Sequence, residues 1–386
     1  RLPPGRGTGP SPPLLGGAMA AAQESAVSGK PALEWADVAP VAGRFGSFEL
    51  VKRLPSERDQ NFLVRRSGAQ TSTEEEEEER AVLKVHNPSD SAAFVDCQNL
   101  ALEAAERAGA SCQRLLRTVE GGATVVPLPL ASGGNCQCRM LTFLPGKMLA
   151  DAAAEVASAE AVEARAELWA AVGAAVGGVA ASMRGFEHDA ARREFVWDLR
   201  CCEEVISARA ADVTAERRPL LERFLRQYRE EVVPLLPRLR LSIVHNDPND
   251  YNLVVGKAGT VGVLDFGDMV YSYTCADAAI CAAYLLFHCP EGESLPGSLL
   301  PFVRGFHAQC PLTEVEAEAL FGLAVMRVCT SVCMSAYQSR LEPDNEYLLI
   351  SAKPAWRLLE RLAAEGAGAG GRAPAALLRE SCGFGA

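Results

Sequence analysis

The sequence predicts an α+β protein of two lobes, a small antiparallel β lobe followed by a larger, mainly helical lobe. Three observations lead to this prediction. Short β-type runs dominate residues 48–85, and long helical patterns dominate the chain after residue 150. A Pro-Gly turn at Pro145 and Gly146 separates the two regions. The chain of 386 residues is also long enough for two lobes of ordinary size.

Composition and charge narrow the class of protein. Hydrophobic residues make up 48% of the chain and charged residues 23%, as is usual for a globular protein. The net charge of -11 has the wrong sign for binding nucleic acid by phosphate neutralisation, so we expect a small-molecule partner and no nucleic acid. The longest uncharged run, residues 168–183, is short for a membrane span. It predicts a buried helix and no membrane partner.

The ends of the chain and its cysteines suggest where the protein works. Residues 1–35 are rich in Pro and Gly near their start and are expected to be disordered or non-native, with a natural start at Met19. The Gly- and Ala-rich residues 365–386 are expected to be a flexible tail. Thirteen cysteines, an odd number without a secretory signal, favour reduced thiols and a cytoplasmic location.

The first lobe, residues 36–144, is predicted as a small sheet with one helix. Strands are expected at 48–51, 62–65, 81–85 and 139–143. The acidic run 74–79 repels itself and is expected to form a solvated hairpin loop before the third strand. The first helix is expected at 94–107, where apolar residues recur on one face.

The second lobe, residues 145–364, is predicted to be mainly helical with one β interruption. Thr313 and Glu316 have the spacing of a capping box at a helix start. The interruption spans 242–264, where two apolar runs flank a polar turn. Helical patterns are found at 152–183, 199–211, 217–235, 274–287, 313–337 and 346–364.

The β interruption contains the residues that indicate a chemistry. It reads His-x-Asp-x-x-x-x-Asn from His245 to Asn252, followed by Asp-Phe-Gly from Asp265. Phosphoryl transfer from a nucleotide needs such a set: a carboxylate for the acceptor hydroxyl, here Asp247, and oxygen ligands for Mg²⁺, here Asn252 and Asp265. Each residue alone would be an ordinary turn residue. In this order between two β runs they predict a kinase-type site.

A kinase-type site also needs a lysine on the third strand of the small sheet to hold the donor phosphates. Lys84 meets this requirement, because it alternates with Leu83 and Val85 in an apolar run. The competing interpretation is a solvent-facing strand lysine. The first lobe is therefore predicted to bind the nucleotide.

Together with these motifs, several longer segments make the chain resemble the aminoglycoside phosphotransferase and choline kinase superfamily, and within it most of all the hydroxylysine kinases. The resemblance covers roughly residues 45–363 and rests on 54–62 (LPSERDQNF), 82–84 (VLK), 97–99 (CQN), 141–146 (LTFLPG), 195–199 (FVWDL) and 262–269 (GVLDFGDM).

The resemblance implies a two-lobed protein-kinase-like fold, Mg²⁺ dependence and transfer of the GTP γ-phosphate to the hydroxyl of free 5-hydroxylysine in lysine breakdown. By position, Asp247 matches the catalytic base, Asn252 and Asp265 the Mg²⁺ ligands, and Lys84 the phosphate-binding lysine. Asn246 replaces the glycine that most of the superfamily has in this motif, although choline kinases also have asparagine there.

Two nucleotide-site positions depart from the superfamily pattern. The loop between the first two strands has no glycine-rich run, so backbone N–H groups around Ser56 and Asn61 are the candidates for phosphate binding. Gln98 replaces the glutamate that usually pairs with the strand lysine. A glutamine can still orient Lys84 by a hydrogen bond, and Asp96 and Glu103 nearby are the acidic alternatives.

The acceptor contacts are predicted from charge. Asp268 follows the metal-binding strand and is the candidate for a substrate ammonium, although it could equally be a cap or turn residue. Arg327 lies in an otherwise apolar helical run and is the candidate for a substrate carboxylate, the alternative being an ion pair with a structural acid.

Several functions stay open at this level. ATP could replace GTP as donor, and choline, ethanolamine, homoserine or another amino alcohol could replace hydroxylysine as acceptor. From a different class, the chain could be a catalytically inactive kinase-like binding protein, although Asp247, Asn252, Asp265 and Lys84 are all present.

Overall fold

The computed structural model describes residues 30–68, 79–131, 133–341, 352–365 and 373–385. The predicted acidic loop at 74–79 lies outside these residues except for Glu79, and so does most of the N-terminal segment predicted to be disordered. Within that segment, the described part is attached to the sheet: the side chain of Gln60 bonds to both backbone groups of Leu33, at 2.9 and 2.7 Å.

The first lobe is a six-stranded antiparallel sheet. Its strands follow the order β1-β2-β3-β6-β4, with β5 paired to β6. The three predicted strands near the start of the chain and the one before the Pro-Gly turn are present, with slightly different ends. The strands are β1 Phe48–Leu54, β2 Gln60–Arg66, β3 Arg80–Val85, β4 Leu115–Leu116, β5 Val126–Pro129 and β6 Asn135–Thr142.

Two helices complete this lobe. Helix α1, Trp35–Phe45, was not expected from the sequence; Val38 and Phe45 on it join a hydrophobic cluster with Phe62 and Leu83 of the sheet. Helix α2, Ala92–Arg107, agrees with the prediction and buries its apolar face in the main core. Helix α1 therefore packs on the sheet, whereas α2 connects this lobe to the main core.

The second lobe is mainly helical, with two small sheets inserted. The sheets are β10-β9-β7 and β11-β8, formed by β7 Lys147–Met148, β8 Leu241–Val244, β9 Leu253–Val255, β10 Val261–Val263 and β11 Val270–Tyr273. The helices are α3 Leu149–Glu155, α4 Val162–Ser182, α5 Cys202–Arg209, α6 Arg218–Gln227, α7 Ala276–Leu285, α8 Leu295–Ser298, α9 Leu300–Gln309, α10 Glu314–Leu341, α11 Ala352–Glu365 and α12 Pro374–Ser381.

Helix α10 forms much of the core of this lobe. The predicted capping box is present at its start, since Thr313 N–H donates to Glu316 and Glu316 N–H donates to the Thr313 hydroxyl, at 2.8 and 3.3 Å. By length and composition α10 could cross a membrane, but 83% of its most apolar window is buried inside the protein, as in the core helix of a globular domain.

The Gly- and Ala-rich run predicted as a buried helix is α4, and its glycines have a packing role. A Cβ on Gly173 would lie 2.1 Å from the carbonyl oxygen of Phe302 in α9. A Cβ on Gly305 of α9 would lie 2.3 Å from the carbonyl oxygen of Ala170 in α4. The two helix backbones therefore approach more closely than any side chain at these positions would allow.

Three expectations for the chain after residue 145 differ from the structure in part. The predicted helix 152–183 is divided into α3 and α4. The predicted helix 217–235 continues from α6 into a π-helical turn and then a 3₁₀ segment that contains Pro234 and Pro237. The predicted tail contains α12, and Leu378 on it is fully buried against the core. One buried leucine on a short helix was too weak a pattern to predict that contact.

Candidate active site

A cavity of about 890 Å³ lies between the sheet and the helical lobe. Most of the predicted site residues line this cavity, although they are far apart in the sequence. Gln98 and Arg327 do not line it. The predicted residues in its wall are Ser56, Asn61, Lys84, Asp247, Asn252, Asp265 and Asp268.

The His-x-Asp turn is fixed by three hydrogen bonds, two to Asp277 and one to Leu264. Asn246 has a φ of +68°, a left-handed conformation that glycine adopts freely and asparagine tolerates better than most residues. This explains why asparagine can replace glycine here. The side chain of Asp277, in the first turn of α7, accepts hydrogen bonds from the N–H groups of His245 and Asn246, at 3.1 and 2.7 Å. His245 Nε2 lies 2.8 Å from the Leu264 carbonyl oxygen.

Asp247 is held by three side chains. Its Oδ1 accepts a hydrogen bond from Arg327 Nη2 at 2.8 Å, and its Oδ2 accepts from Asn249 Nδ2 and Asn252 Nδ2, at 2.8 and 2.7 Å. Burial and the nearby Asp268 raise the pKa of Asp247 well above its usual range, against the opposite effect of Arg327. A carboxylate fixed in this way, with a raised pKa, suits a general base.

The expected role of Arg327 is wrong. Its side chain is 3% exposed, lies outside the cavity wall and uses both terminal nitrogens inside the protein. One donates to Asp247 and the other donates to the Trp197 carbonyl oxygen at 3.0 Å. Arg327 is therefore a positioning residue for Asp247, because the acid it pairs with belongs to the site itself.

Lys84 joins the two lobes through a pair of carboxylates. Its ammonium lies 2.8 Å from Asp59 Oδ2 and 2.7 Å from Asp265 Oδ1. Asp59 follows the β1–β2 turn, while Asp265 lies in a strained left-handed conformation, with a φ of +54°, at the end of the returning strand. The lysine ammonium lowers the pKa values of both carboxyls, against the opposite effect of desolvation.

The expected contact of Gln98 with Lys84 is also wrong. Gln98 Oε1 accepts a hydrogen bond from Arg139 Nη2 at 2.6 Å, and Asn99 Oδ1 accepts one from Arg139 Nη1 at 2.7 Å. Arg139 lies directly opposite Lys84 on β6. Asp59 therefore takes the place of the usual helix glutamate, and Gln98 supports the neighbouring arginine instead. The sequence signal for this role is the single acid next to the second strand, within residues 54–62.

Ser56 and Asn61 lie where the donor phosphates were expected. Asn61 is on β2, directly opposite Lys84, and its buried Oδ1 has no hydrogen-bond partner in the described structure. The Ser56 carbonyl oxygen accepts a hydrogen bond from the Lys30 ammonium. Both residues border the cavity beside Lys84, so their predicted contact with nucleotide is sterically possible.

Asn252 and Asp265 can supply metal ligands. Among the described residues, no group donates a hydrogen bond to Asn252 Oδ1 or to Asp265 Oδ2, and both side chains line the cavity. Carboxamide and carboxylate oxygens are the ligands that Mg²⁺ prefers. A second group of potential ligands, Asp59, His86 and Asp90, lies nearby, but Lys84 already pairs with Asp59 and Arg58 pairs with Asp90.

Asp268 is a cavity-lining carboxylate without a hydrogen-bond donor among the described residues. It is half-buried and lies close enough to Asp247 to raise its pKa. Burial raises the pKa of Asp268 itself, against the opposite effect of Arg193 and Arg58. The side chain is therefore available to a cationic group next to the expected base.

The fold and the cavity define a small-molecule kinase that transfers a phosphoryl group to a hydroxyl. Residues 51–297 match the model of the phosphotransferase enzyme family (APH), and the chain belongs to this family. Within it, the sequence is 30% identical to hydroxylysine kinase of Mus musculus over 360 residues, 88% of this chain and 92% of the relative. It is 28% identical to hydroxylysine kinase of Bos taurus, over 81% of this chain and 84% of the relative.

Solved structures agree on the fold. A microcompartment-associated aminopropanol kinase superposes with a TM-score of 0.63 at 14% identity, covering 86% of this chain and 98% of the other. Amicoumacin kinase hAmiN in complex with AMP-PNP, Ca²⁺ and Ami superposes with a TM-score of 0.61 at 14% identity, covering 85% and 94%. The predicted two-lobed kinase-like fold and the predicted family are thus confirmed.

Proposed function

We propose that this protein is a cytoplasmic, Mg²⁺-dependent kinase that transfers the γ-phosphate of GTP to the hydroxyl of free 5-hydroxy-L-lysine in lysine degradation. The observation that carries the proposal is the proximity of Asp247, fixed as a base, to Asp268, which has no donor in the described structure. The similarity to hydroxylysine kinases supports the acceptor. The choice of GTP rests on the resemblance alone.

The acceptor chemistry fits these two carboxylates. Hydroxylysine carries its hydroxyl and its side-chain ammonium on adjacent carbons. An acceptor with its hydroxyl at Asp247 would therefore hold the ammonium only a few ångströms away. A buried ammonium without a partner costs several kcal/mol, and Asp268 supplies the partner on this side of the cavity. Any vicinal amino alcohol satisfies the same two contacts.

The transfer step uses the site residues in separate roles. As the acceptor oxygen forms its bond to the γ-phosphorus, its proton passes to Asp247, and the bond from the γ-phosphorus to the bridging oxygen breaks to release the nucleoside diphosphate. Lys84 would bind the α- and β-phosphates, and Asn252 and Asp265 would hold Mg²⁺. When bound, this ion neutralises charge on the phosphates.

A transfer assay tests the proposal. The purified protein is given GTP or ATP with hydroxylysine, choline, ethanolamine or homoserine, and lysine serves as the control without a hydroxyl. We expect the highest kcat/KM for hydroxylysine with GTP and no product with lysine. A higher kcat/KM for choline or ethanolamine would favour the broader amino-alcohol kinase, and a preference for ATP would overturn the choice of donor.

A further inference from the structure

Arg193 differs from the other cations in the cavity wall. The other three, Lys84, Arg58 and Arg139, already bind carboxylates or side-chain amides of the protein. Lys84 pairs with two carboxylates, and Arg58 lies 2.9 Å from Asp90. Arg139 donates to two buried side-chain amides. Among the described residues, no carboxylate lies within ion-pair distance of Arg193, although Asp268 is near enough to act on its charge.

The Arg193 guanidinium is held rigidly. Its Nε donates to the Met269 carbonyl oxygen and its Nη2 donates to the Gly267 carbonyl oxygen, both at 3.1 Å. Two aromatic rings lie against it, with the guanidinium carbon 4.0 Å from the Phe94 centroid and 4.2 Å from the Phe195 centroid. Two hydrogen bonds and two cation–π contacts hold the group in place before any ligand binds.

One edge of this guanidinium remains available. Nη1 donates to no described residue, and it is not among the buried polar atoms that lack a partner. The side chain lines the same cavity as Asp268 and Asp247. Burial lowers the pKa of Arg193 to about 10, so the group still carries its charge at neutral pH.

We propose that Arg193 binds the carboxylate of an amino-acid acceptor and thereby makes the enzyme specific for amino acids over simple amino alcohols. This inference rests on the proposed function and deepens it. Arg193 and Asp268 line the same cavity, which thus offers a cation for the acceptor carboxylate and a carboxylate for its side-chain ammonium. Arg327, which was expected in this role, has both terminal nitrogens occupied.

The fixed position of the Arg193 guanidinium favours acceptors that carry a carboxylate. A preorganised guanidinium loses little side-chain entropy when a carboxylate binds, and the charge-assisted hydrogen bond forms in a half-buried place. An acceptor without a carboxylate would leave Nη1 without this partner. We therefore expect the effect in the KM of the acceptor, with little change in the KM of the nucleotide.

The test compares acceptors that differ only at the carboxylate. Initial rates are measured with hydroxylysine, with its neutral carboxamide and with 1,5-diaminopentan-2-ol, which lacks the group. For the wild type we expect kcat/KM to be about 10- to 100-fold higher for hydroxylysine than for the other two. Equal values for hydroxylysine and its carboxamide would overturn the proposal without any variant.

Variants assign the effect to one residue. Arg193→Met and Arg193→Lys should lose most of this preference by raising the KM for hydroxylysine alone. Arg192→Met is the matched control, because Arg192 is exposed, pairs with Glu187 and lies outside the cavity wall. It should keep the wild-type preference. Thermal melting shows whether each variant is folded, and Arg193→Lys keeps the charge should the methionine variant be unstable.

Four results would contradict the assignment, and one of them would also overturn the proposed function. If Arg58→Met lost the preference for acceptors with a carboxylate and Arg193→Lys kept it, the substrate carboxylate would bind at Arg58. An equal increase in the KM of GTP and of hydroxylysine in the Arg193 variants would indicate a contact with the donor phosphates. Transfer to ethanolamine but not to hydroxylysine would overturn both proposals, whereas transfer to hydroxylysine with no Arg193 effect would overturn this one alone.

Discussion

Arg327 Nη2 lies 2.8 Å from Asp247 Oδ1, although the two residues are 80 positions apart in the sequence. The arginine side chain is 3% exposed, so the pair forms where water competes weakly. The remaining Asp247 oxygen is held by Asn249 and Asn252. The orientation of the expected base is thus fixed from both the catalytic loop and the core helix α10.

Replacing Arg327 should therefore affect every acceptor alike. In Arg327→Lys the forked geometry is lost and Asp247 becomes less well oriented, so kcat should fall at least about tenfold with hydroxylysine and with ethanolamine. Steady-state kinetics with both acceptors measure this. A fall in kcat confined to hydroxylysine, the acceptor with a carboxylate, would instead support a direct contact between Arg327 and the substrate carboxylate.

Asp247→Asn should nearly abolish turnover and leave nucleotide binding intact. The amide keeps the size of the side chain but cannot take the acceptor proton, which is worth about 10²- to 10⁴-fold for a general base. Single-turnover rates and nucleotide titration give the two readouts. Retention of more than about a tenth of the wild-type rate would contradict the role of Asp247 as base.

Lys84 and Asp265 should both affect the donor, in different ways. Lys84→Ala should weaken nucleotide binding at all Mg²⁺ concentrations, because it removes the cation for the phosphates. Asp265→Ala should remove the dependence of nucleotide affinity on Mg²⁺. Titrations with and without Mg²⁺ separate these effects, and wild-type curves for both variants would exclude the assignment.

Variants at Asp59 and Gln98 test which of these two residues is the partner of Lys84. Asp59→Asn should weaken nucleotide binding, because it removes one of the two carboxylates that orient the ammonium. Gln98→Ala should leave the nucleotide Kd within about twofold and lower the Tm, because Arg139 then loses a buried acceptor. The reverse pattern would support Gln98 as the partner of Lys84.

The contact between α4 and α9 predicts a stability difference between two glycines of α4, Gly173 and Gly178. Gly173→Ala places a Cβ 2.1 Å from a backbone oxygen and should lower the free energy of unfolding by about 1–3 kcal/mol. In Gly178→Ala, the atom nearest to the new Cβ would be 4.0 Å away, an ordinary contact. The higher helix propensity of alanine should therefore raise the free energy of unfolding by about 0.5–1 kcal/mol. Denaturant unfolding of both variants checks this, and equal effects would contradict the close helix contact.

The sequence alone predicted the elements whose residues repeat regularly or follow a motif. The strands around Lys84, helix α2 and the capping box at Thr313 follow from local patterns, because side-chain periodicity and capping are properties of neighbouring residues. Helix α1 was not predicted, because its apolar face becomes significant only against the sheet, where Phe45 and Phe62 belong to one hydrophobic cluster.

The candidate site shows the same division. The spacing of Asp247, Asn252 and Asp265 indicated their convergence from the sequence, because a β hairpin returns the chain to the same edge. The partners of the charged groups differ from the predicted ones. Lys84 pairs with Asp59 and not with Gln98, and Arg327 pairs with Asp247 and does not line the cavity. Which cation meets which carboxylate depends on distances of a few ångströms between distant segments, and burial makes each such choice energetically large. Only the tertiary structure decides those distances.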